Sequence, residues 1–142
     1  MNRGLPDGYE LDDDPSRLDL DAIWAFLSTE AYWGTDRSRE TVEAQVRAAA
    51  RTVGLYHEGR QVGFARIVSD GRIAYLADVY VLRDHRGHGL GVELVRACVD
   101  EGPQRELRWL LHTKDAHGLY ERFGFGPPSD RMLERPPAGE RG

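Results

Sequence analysis

The sequence predicts a single domain of 142 residues with a mixed α/β fold, in which a central antiparallel meander precedes a parallel strand and helices flank the sheet. Three apolar runs, at residues 53–57, 62–69 and 73–82, are separated only by short turns, which is typical of a meander. A glycine-rich loop then leads into an amphipathic segment and a further apolar run at 107–113. Because a helix separates this run from the strand before it, the two strands should be parallel neighbours in a right-handed crossover.

The elements before the meander have clear start signals. Residues 9–14 are expected to form a short first strand. Asp19 can cap a helix whose apolar face includes Ile23 and Leu27, and Ser38 can cap a second helix. These two helices should cover one face of the sheet.

The elements after the meander are marked by glycine and proline. The helix over residues 89–101 should end at the Gly-Pro pair 102–103, since glycine ends helices and proline cannot continue them. Asp115 should cap a last helix, and residues 132–133 predict a weak last strand. The domain core would then span about residues 9–135, with a polar, frayed tail over 136–142.

Composition excludes several classes of protein. Hydrophobic residues make up 40% of the chain and charged residues 30%, which indicates a globular domain. No apolar run approaches the ~20 residues that span a bilayer, and the start has no hydrophobic signal core, so we expect a cytoplasmic protein without membrane contact. The net charge of −5 argues against nucleic-acid binding. The single cysteine, Cys98, cannot form an intramolecular disulfide and should be buried in a helix.

The glycine-rich loop is the most informative segment of the chain. It consists of Arg86, Gly87, His88, Gly89, Leu90 and Gly91. Glycines leave backbone N–H groups open to a ligand, and the following helix directs its unpaired N–H groups to the same place. The loop has neither the third glycine of a dinucleotide fingerprint nor the Gly-Lys-Ser/Thr ending of a Walker loop. It therefore predicts an anion cradle of another kind.

Two motifs together resemble a known family. Arg86, Gly89 and Gly91 form Arg-x-x-Gly-x-Gly between a strand and a helix, which resembles the coenzyme A pyrophosphate loop of the GNAT superfamily of N-acyltransferases. Residues 115–125 resemble the later motif of that superfamily, in which Ala-x-x-Leu-Tyr closes a helix and Gly-Phe opens a strand. The order and spacing of the motifs extend the resemblance over roughly residues 20–135.

The resemblance implies a fold and a reaction. Two parallel strands would splay apart and admit the coenzyme like an added strand, so that an acetyl group passes directly from acetyl-CoA to a primary amine in a ternary complex. The backbone of Val79, Tyr80 and Val81 would bind the pantetheine arm and the oxyanion. Tyr120 would protonate the leaving thiolate or pack under the coenzyme arm. Many relatives have an asparagine seven residues earlier, where this chain has Thr113.

A base is needed if the acceptor is an ordinary amine. An amine with a pKa of ~10.4 is almost fully protonated at pH 7, which adds roughly 4.6 kcal/mol to the barrier. Asp78 is the first candidate, ahead of Glu30 and His57. A structural role for Asp78, as an acceptor of nearby N–H groups, is an equal alternative.

The acceptor wall is expected in the loop between the first two helices. The candidate residues are Tyr32, Trp33, Asp36 and Arg37. The net acidic surface slightly favours a cationic amine, either small or carried by a peptide. A noncatalytic coenzyme A sensor or regulatory module and a protein interaction module are the alternatives. Dimers are common among the proteins that the chain resembles, so a homodimer is an open expectation, and no metal site is predicted.

Overall fold

The computed structural model of the protein describes residues 1–33 and 36–141. Within them, six strands form one sheet in sequence order: β1 (Asn2–Gly4), β2 (Tyr9–Asp12), β3 (Arg51–His57), β4 (Arg60–Ser69), β5 (Ile73–Val81) and β6 (Arg108–Leu110). The α-helices of these residues are α1 (Leu20–Thr29), α2 (Arg39–Ala48), α3 (Leu90–Val99) and α4 (His117–Glu121). Strands β1 to β5 are antiparallel, and β6 is parallel to β5. The predicted mixed α/β class is therefore confirmed.

The predicted helix caps on the first face are present. The Asp19 carboxylate accepts a hydrogen bond from the Ala22 backbone N–H at 3.0 Å. The Ser38 hydroxyl accepts one from the Thr41 N–H at 3.1 Å. Each side chain satisfies a backbone donor that the helix itself leaves unpaired, which explains why α1 and α2 begin where they do.

Helices cover both faces of the sheet. Helix α3 packs on one face, where Leu94, Val95 and Cys98 are fully buried against the strands. Helices α1 and α2 pack on the other face, against Phe64 of β4 and Tyr80 of β5. The buried position predicted for Cys98 is thus confirmed. None of the helices formed by the described residues is both long and apolar enough to cross a membrane.

The parallel pair β5 and β6 separates soon after it forms. Their pairing runs only from Ile73 opposite Arg108 to Tyr75 opposite Leu110. Strand β5 continues to Val81, and among the described residues no strand pairs with its outer edge beyond Tyr75. We call the resulting wedge between residues 76–81 and 111–114 the strand cleft.

The start of α4 differs from the prediction. Asp115 does not cap the helix; the residue before α4 is Ala116, and no side chain caps it there. Instead, the Thr113 hydroxyl accepts a hydrogen bond from the Ala116 N–H at 3.1 Å. A hydroxyl three residues before a backbone donor can reach it in this way, and the bond stabilises the turn that leads into α4.

Both ends of the chain also differ from the prediction. The polar residues of β1 form a strand that the sequence did not predict, because a three-residue polar segment has no hydrophobic period. Met132 and Leu133 do not form a strand: the Met132 N–H donates to the Ser129 carbonyl in a turn, and Leu133 is almost fully exposed. The predicted frayed tail contains a 3-10 turn at Ala138–Glu140.

Candidate functional site

The glycine loop lies between the end of β5 and the first turn of α3. Gly87 and Gly89 have φ values of +88° and +71°, a left-handed conformation that side chains disfavour. A Cβ atom built on Gly87, Gly89 or Gly91 would meet no atom within 4 Å, so the space above the loop is open. The buried Leu90 anchors the loop to the core. Open backbone at the N-terminus of a ten-residue helix is the geometry that an anion cradle requires.

Side chains of the loop bind it to the sheet. The Arg86 Nε donates a hydrogen bond to the Val81 carbonyl at 2.9 Å, which joins the loop to the end of β5. The Tyr9 hydroxyl and the His85 Nδ1 are 2.8 Å apart. The His88 ring lies 6.1 Å from the Tyr9 ring. Arg86 therefore has a positioning role as well as a positive charge.

The predicted coenzyme-binding part of β5 is held from both faces. The Tyr80 ring stacks on the Phe26 ring of α1 with 3.9 Å between centroids, and burial raises the pKa of Tyr80 above its usual value. Val79 and Val81 pack against the core on the α3 side. With the side chains fixed in this way, the backbone edge of residues 79–81 borders the strand cleft.

Tyr120 lies in α4, packed against the main core and edge to face with Phe125 at 5.8 Å. Burial raises the pKa of Tyr120 to about 12, and nearby acidic groups, including Tyr32, add to the shift. The phenol is therefore protonated throughout the physiological range and can donate a hydrogen bond.

The loop after α1 crosses the strand cleft. The Tyr32 hydroxyl accepts a hydrogen bond from the backbone N–H of Lys114 at 3.1 Å, and the Lys114 ammonium lies 5.6 Å from the centre of the Tyr32 ring. Trp33 packs edge to face on Tyr32 at 5.1 Å. Asp36 is exposed, whereas Arg37 turns inward. The predicted loop also included residues 34–35, which lie outside the described residues.

Asp78 is the centre of a buried polar cluster. Its carboxylate accepts hydrogen bonds from Trp33 Nε1 at 2.9 Å, from both Nη atoms of Arg37 at 2.8 and 3.0 Å, and from Arg66 Nε at 2.9 Å. Burial opposes ionisation, but the Arg37 hydrogen bonds and the charges of Arg66 and Arg37 outweigh it and lower the pKa of Asp78. A carboxylate with so many donors has little capacity to accept a proton, so this geometry favours the structural alternative over the general base.

A bulge in β5 directs Asp78 into this cluster. Phe64 pairs with Tyr80 and Arg66 pairs with Ala77, so two residues of β5 lie opposite one residue of β4. Asp78 has a φ of +55°, which is uncommon for a residue with a side chain. Bulges commonly reorient a side chain next to a functional site. Here the bulge lies directly before the predicted coenzyme-binding residues.

Arg66 is the member of the site that sequence analysis missed. It lies in β4 between buried apolar residues, on the face of the sheet that carries α1 and α2. A charged side chain inside a buried central strand is uncommon unless it is paired, and this was the available signal. The weaker base candidates, Glu30 and His57, instead line a cavity of about 520 Å³ near the end of β5. There, His57 stacks on Tyr9 and its Nε2 lies 3.1 Å from the Asp7 carbonyl.

Comparison with known proteins places this geometry in a family. The model of the acetyltransferase (GNAT) family matches residues 20–125. A candidate acetyltransferase of Gibberella zeae is 29% identical, in an alignment that covers 82% of this chain and 78% of that protein.

Solved structures agree with the family match. A candidate acetyltransferase of the GNAT family from Xanthomonas campestris pv. campestris is 38% identical, with a TM-score of 0.86 over 96% of this chain and 98% of that chain. A candidate acetyltransferase from Clostridium acetobutylicum, solved with acetyl-CoA, has the same fold at 15% identity, with a TM-score of 0.64 over 90% of this chain and 94% of that chain.

Proposed function

The chain belongs to the acetyltransferase (GNAT) family, and from this premise we propose that it transfers an acetyl group from acetyl-CoA to a primary amine, directly and in a ternary complex. One observation carries the proposal: strand β5 has an open glycine loop at its end and, beyond Tyr75, an edge with which no strand of the described residues pairs. The Clostridium relative that was solved with acetyl-CoA supports this coenzyme as the donor.

The loop and the cleft would bind different parts of acetyl-CoA. The pyrophosphate fits the open N–H groups at Gly87, Gly89 and the first turn of α3, and Arg86 adds a positive charge there. The pantetheine arm fits the edge of residues 79–81, where it would bond as an added strand does, apart from the Val81 carbonyl, which accepts from Arg86. N–H groups on this edge are also the nearest backbone donors for an oxyanion that develops on the thioester carbonyl.

Tyr120 would assist the leaving thiolate. Burial raises the pKa of Tyr120 to about 12, well above the ~8.5 of an ordinary thiol, so complete proton transfer to the thiolate would be unfavourable. We therefore assign Tyr120 a hydrogen bond to the thiolate that leaves as the C–S bond breaks. The proton that the attacking nitrogen loses when the amide forms passes to water, and water protonates the thiolate. This assignment keeps the hydroxyl essential to turnover without requiring an ionised phenol.

The acceptor amine must attack in its neutral form. Asp78 already accepts several hydrogen bonds, so we assign it no proton transfer. Instead, the amine would lose its proton to solvent before or during entry. On this reasoning kcat/KM rises about tenfold per pH unit until the pH reaches the pKa of the free amine.

Gly91 offers a clean test of coenzyme binding. It lies in the first turn of α3, its φ is not positive, and an added Cβ would meet no protein atom within 4 Å. Gly91→Val should therefore fold, yet its side chain would enter the space assigned to the pyrophosphate. The loss of one or two charge-assisted hydrogen bonds should weaken acetyl-CoA binding by roughly 10-fold to 100-fold or more, measured by calorimetry.

Gly139→Val, in the C-terminal turn, is the matched control because its Cβ also meets open space. Gly89 is unsuitable for this test, since its left-handed backbone would strain a branched residue whether or not the coenzyme binds there. Unchanged affinity in a folded Gly91→Val variant would refute the cradle. Binding without thiol release, over a broad panel of amines, would instead indicate a noncatalytic coenzyme A sensor.

A further inference from the structure

In the cluster around Asp78, the Arg66 guanidinium has hydrogen-bond donors that its contact with Asp78 does not use. Arg37 contacts both carboxylate oxygens of Asp78, so Arg66 shares a carboxylate that is already paired. Arg66 uses only its Nε, and its two Nη atoms donate to no residue that the structure describes. Its side chain is only 12% exposed. Since a partly buried cation is costly unless it is paired, this site favours a further anion.

We propose that Arg66 binds a carboxylate of the acceptor, so that the acceptors are small amines that carry a carboxylate, as α-amino acids do. This inference rests on the proposed acetyl transfer and specifies its substrate class. Arginine suits the role because its planar fork makes two parallel hydrogen bonds to a carboxylate.

The location of Arg66 supports the assignment. Through Asp78 it is linked to Trp33 of the loop that crosses the strand cleft. Asp78 directly precedes Val79, where the edge assigned to the thioester begins. In an α-amino acid the amine is one carbon away from the carboxylate. A carboxylate held by Arg66 would therefore keep the amine close to the cleft, which is the orientation that transfer requires.

Two aromatic rings beside the cluster suit the rest of such an acceptor. Tyr32 and Trp33 are 55% and 41% exposed, although both are large apolar groups. Their edge-to-face contact and their hydrogen bonds, from Lys114 to Tyr32 and from Trp33 to Asp78, hold them in place. Fixed, exposed rings favour an acceptor with an apolar or aromatic body.

The net charge of the whole chain does not decide which acceptor binds at Arg66. The net charge of −5 favours cations at long range, but salt screens exposed charges beyond about 10 Å. Glu134 contacts His112 at 3.2 Å, but its side chain is 71% exposed, so solvent screens its charge. Lys114 adds a positive charge across the cleft. Asp36 of the crossing loop and Asp115 beside Lys114 are negative, so the attraction for a carboxylate comes from direct contact with the Arg66 guanidinium and not from a net positive site.

The test compares α-amino acids with their carboxamides. Thiol release from acetyl-CoA is measured with L-phenylalanine and L-leucine and with their amides, and kcat/KM is corrected for the fraction of neutral amine. We expect the wild-type protein to prefer the carboxylates by about 10-fold to 100-fold. Arg66→Gln should raise KM for the amino acids by a similar factor and for the amides by less than about 3-fold. Arg72→Gln, an exposed arginine in the turn before β5, is the matched control.

A second readout does not depend on turnover. Binding of L-phenylalanine to the protein loaded with coenzyme A is measured by calorimetry, and Arg66→Lys should restore part of the affinity that Arg66→Gln loses. Any one of three results would overturn the inference. These are equal kcat/KM values for acids and amides, an equal effect of Arg66→Gln on both, and amino acids that are neither acetylated nor bound. Amides acetylated as well as acids would leave the proposed acetyl transfer standing, whereas no binding of acetyl-CoA would refute that transfer itself.

Discussion

Asp78→Asn separates the structural role of Asp78 from a catalytic one. Asparagine has the same shape as aspartate and tolerates the left-handed φ of +55° at this position, so the change removes little except the negative charge. Two arginines, Arg37 and Arg66, would then face a neutral amide. If the carboxylate serves to hold this cluster together, the variant should lose stability.

The size of the loss follows from burial. Removal of one partner from a fully buried ion pair costs roughly 3–5 kcal/mol. Here the two arginine side chains are 16% and 12% exposed, so water can partly solvate them, and the asparagine oxygen can still accept one hydrogen bond. We therefore expect the free energy of unfolding to fall by about 2–3 kcal/mol, equivalent to a fall in Tm of very roughly 5–12 °C for a domain of this size.

Urea unfolding as a function of pH tests the cause. The pKa of Asp78 is lowered in the folded protein, so its contribution should be complete above the unfolded value, near 3.8, and should be lost as the pH falls through the folded value. The difference between the wild type and Asp78→Asn should be constant from pH 5 to 8 and shrink below about pH 4. Asp130→Asn, at an exposed position, should show no such difference.

Activity decides between the two roles. A folded Asp78→Asn variant should retain turnover with a raised KM for the acceptor, because the loop that carries Trp33 and Arg37 loses its anchor. The structural reasoning would be refuted if Asp78→Asn were as stable as the wild type but had lost most of its turnover and the acidic limb of its pH profile. Asp78 would then be the base.

Three further changes test other parts of the molecule. Tyr120→Phe should lower turnover by about 100-fold or more with little change in coenzyme affinity, and the loss of turnover should be smaller for acyl donors with a more acidic thiol. Wild-type turnover in this variant, under conditions where chemistry limits the rate, would contradict the assignment. Gly63→Ala should destabilise the domain by roughly 1–3 kcal/mol in urea, since its Cβ would lie 2.9 Å from the Tyr80 carbonyl oxygen and 3.1 Å from the Leu55 side chain. Cys98 is fully buried, and burial raises its pKa to about 12, so a thiol reagent should modify it only after unfolding; rapid labelling of the native protein would show that α3 opens easily.

Local signals explain most of what the sequence predicted correctly. The caps Asp19 and Ser38, the meander and the glycine loop each depend on residues within a few positions of one another. The same kind of signal was misleading at Asp115, because the Thr113 hydroxyl accepts from the Ala116 N–H in the turn before α4, and the helix begins at His117, one residue later than an Asp115 cap requires. It also failed at residues 132–133, where two apolar side chains without a partner strand do not form one.

The polar cluster could not be predicted in this way. Asp78 lies 41 residues from Arg37 and 12 from Arg66, and only the bulge in β5 turns the carboxylate toward both. The sequence separately predicts Asp78 as a base or as an acceptor of nearby N–H groups and Arg37 as part of the acceptor wall, and it predicts no role for Arg66. Their pairing is a property of the folded sheet.

The bulge also connects the two halves of the proposed reaction. Strand β5 contributes its backbone edge after Asp78 to the donor side, and it contributes the Asp78 side chain to the loop on the acceptor side. Because adjacent residues of one strand do both, a shift in the acceptor loop that pulls on Asp78 must also move the edge at Val79. We therefore expect acceptor and coenzyme to bind cooperatively, so that each raises the affinity for the other by the same factor. Calorimetry of acetyl-CoA binding with and without a carboxylate-bearing amine measures that factor, and in Asp78→Asn it should approach one; equal coupling in the wild type and the variant would show that the two sites communicate by another route.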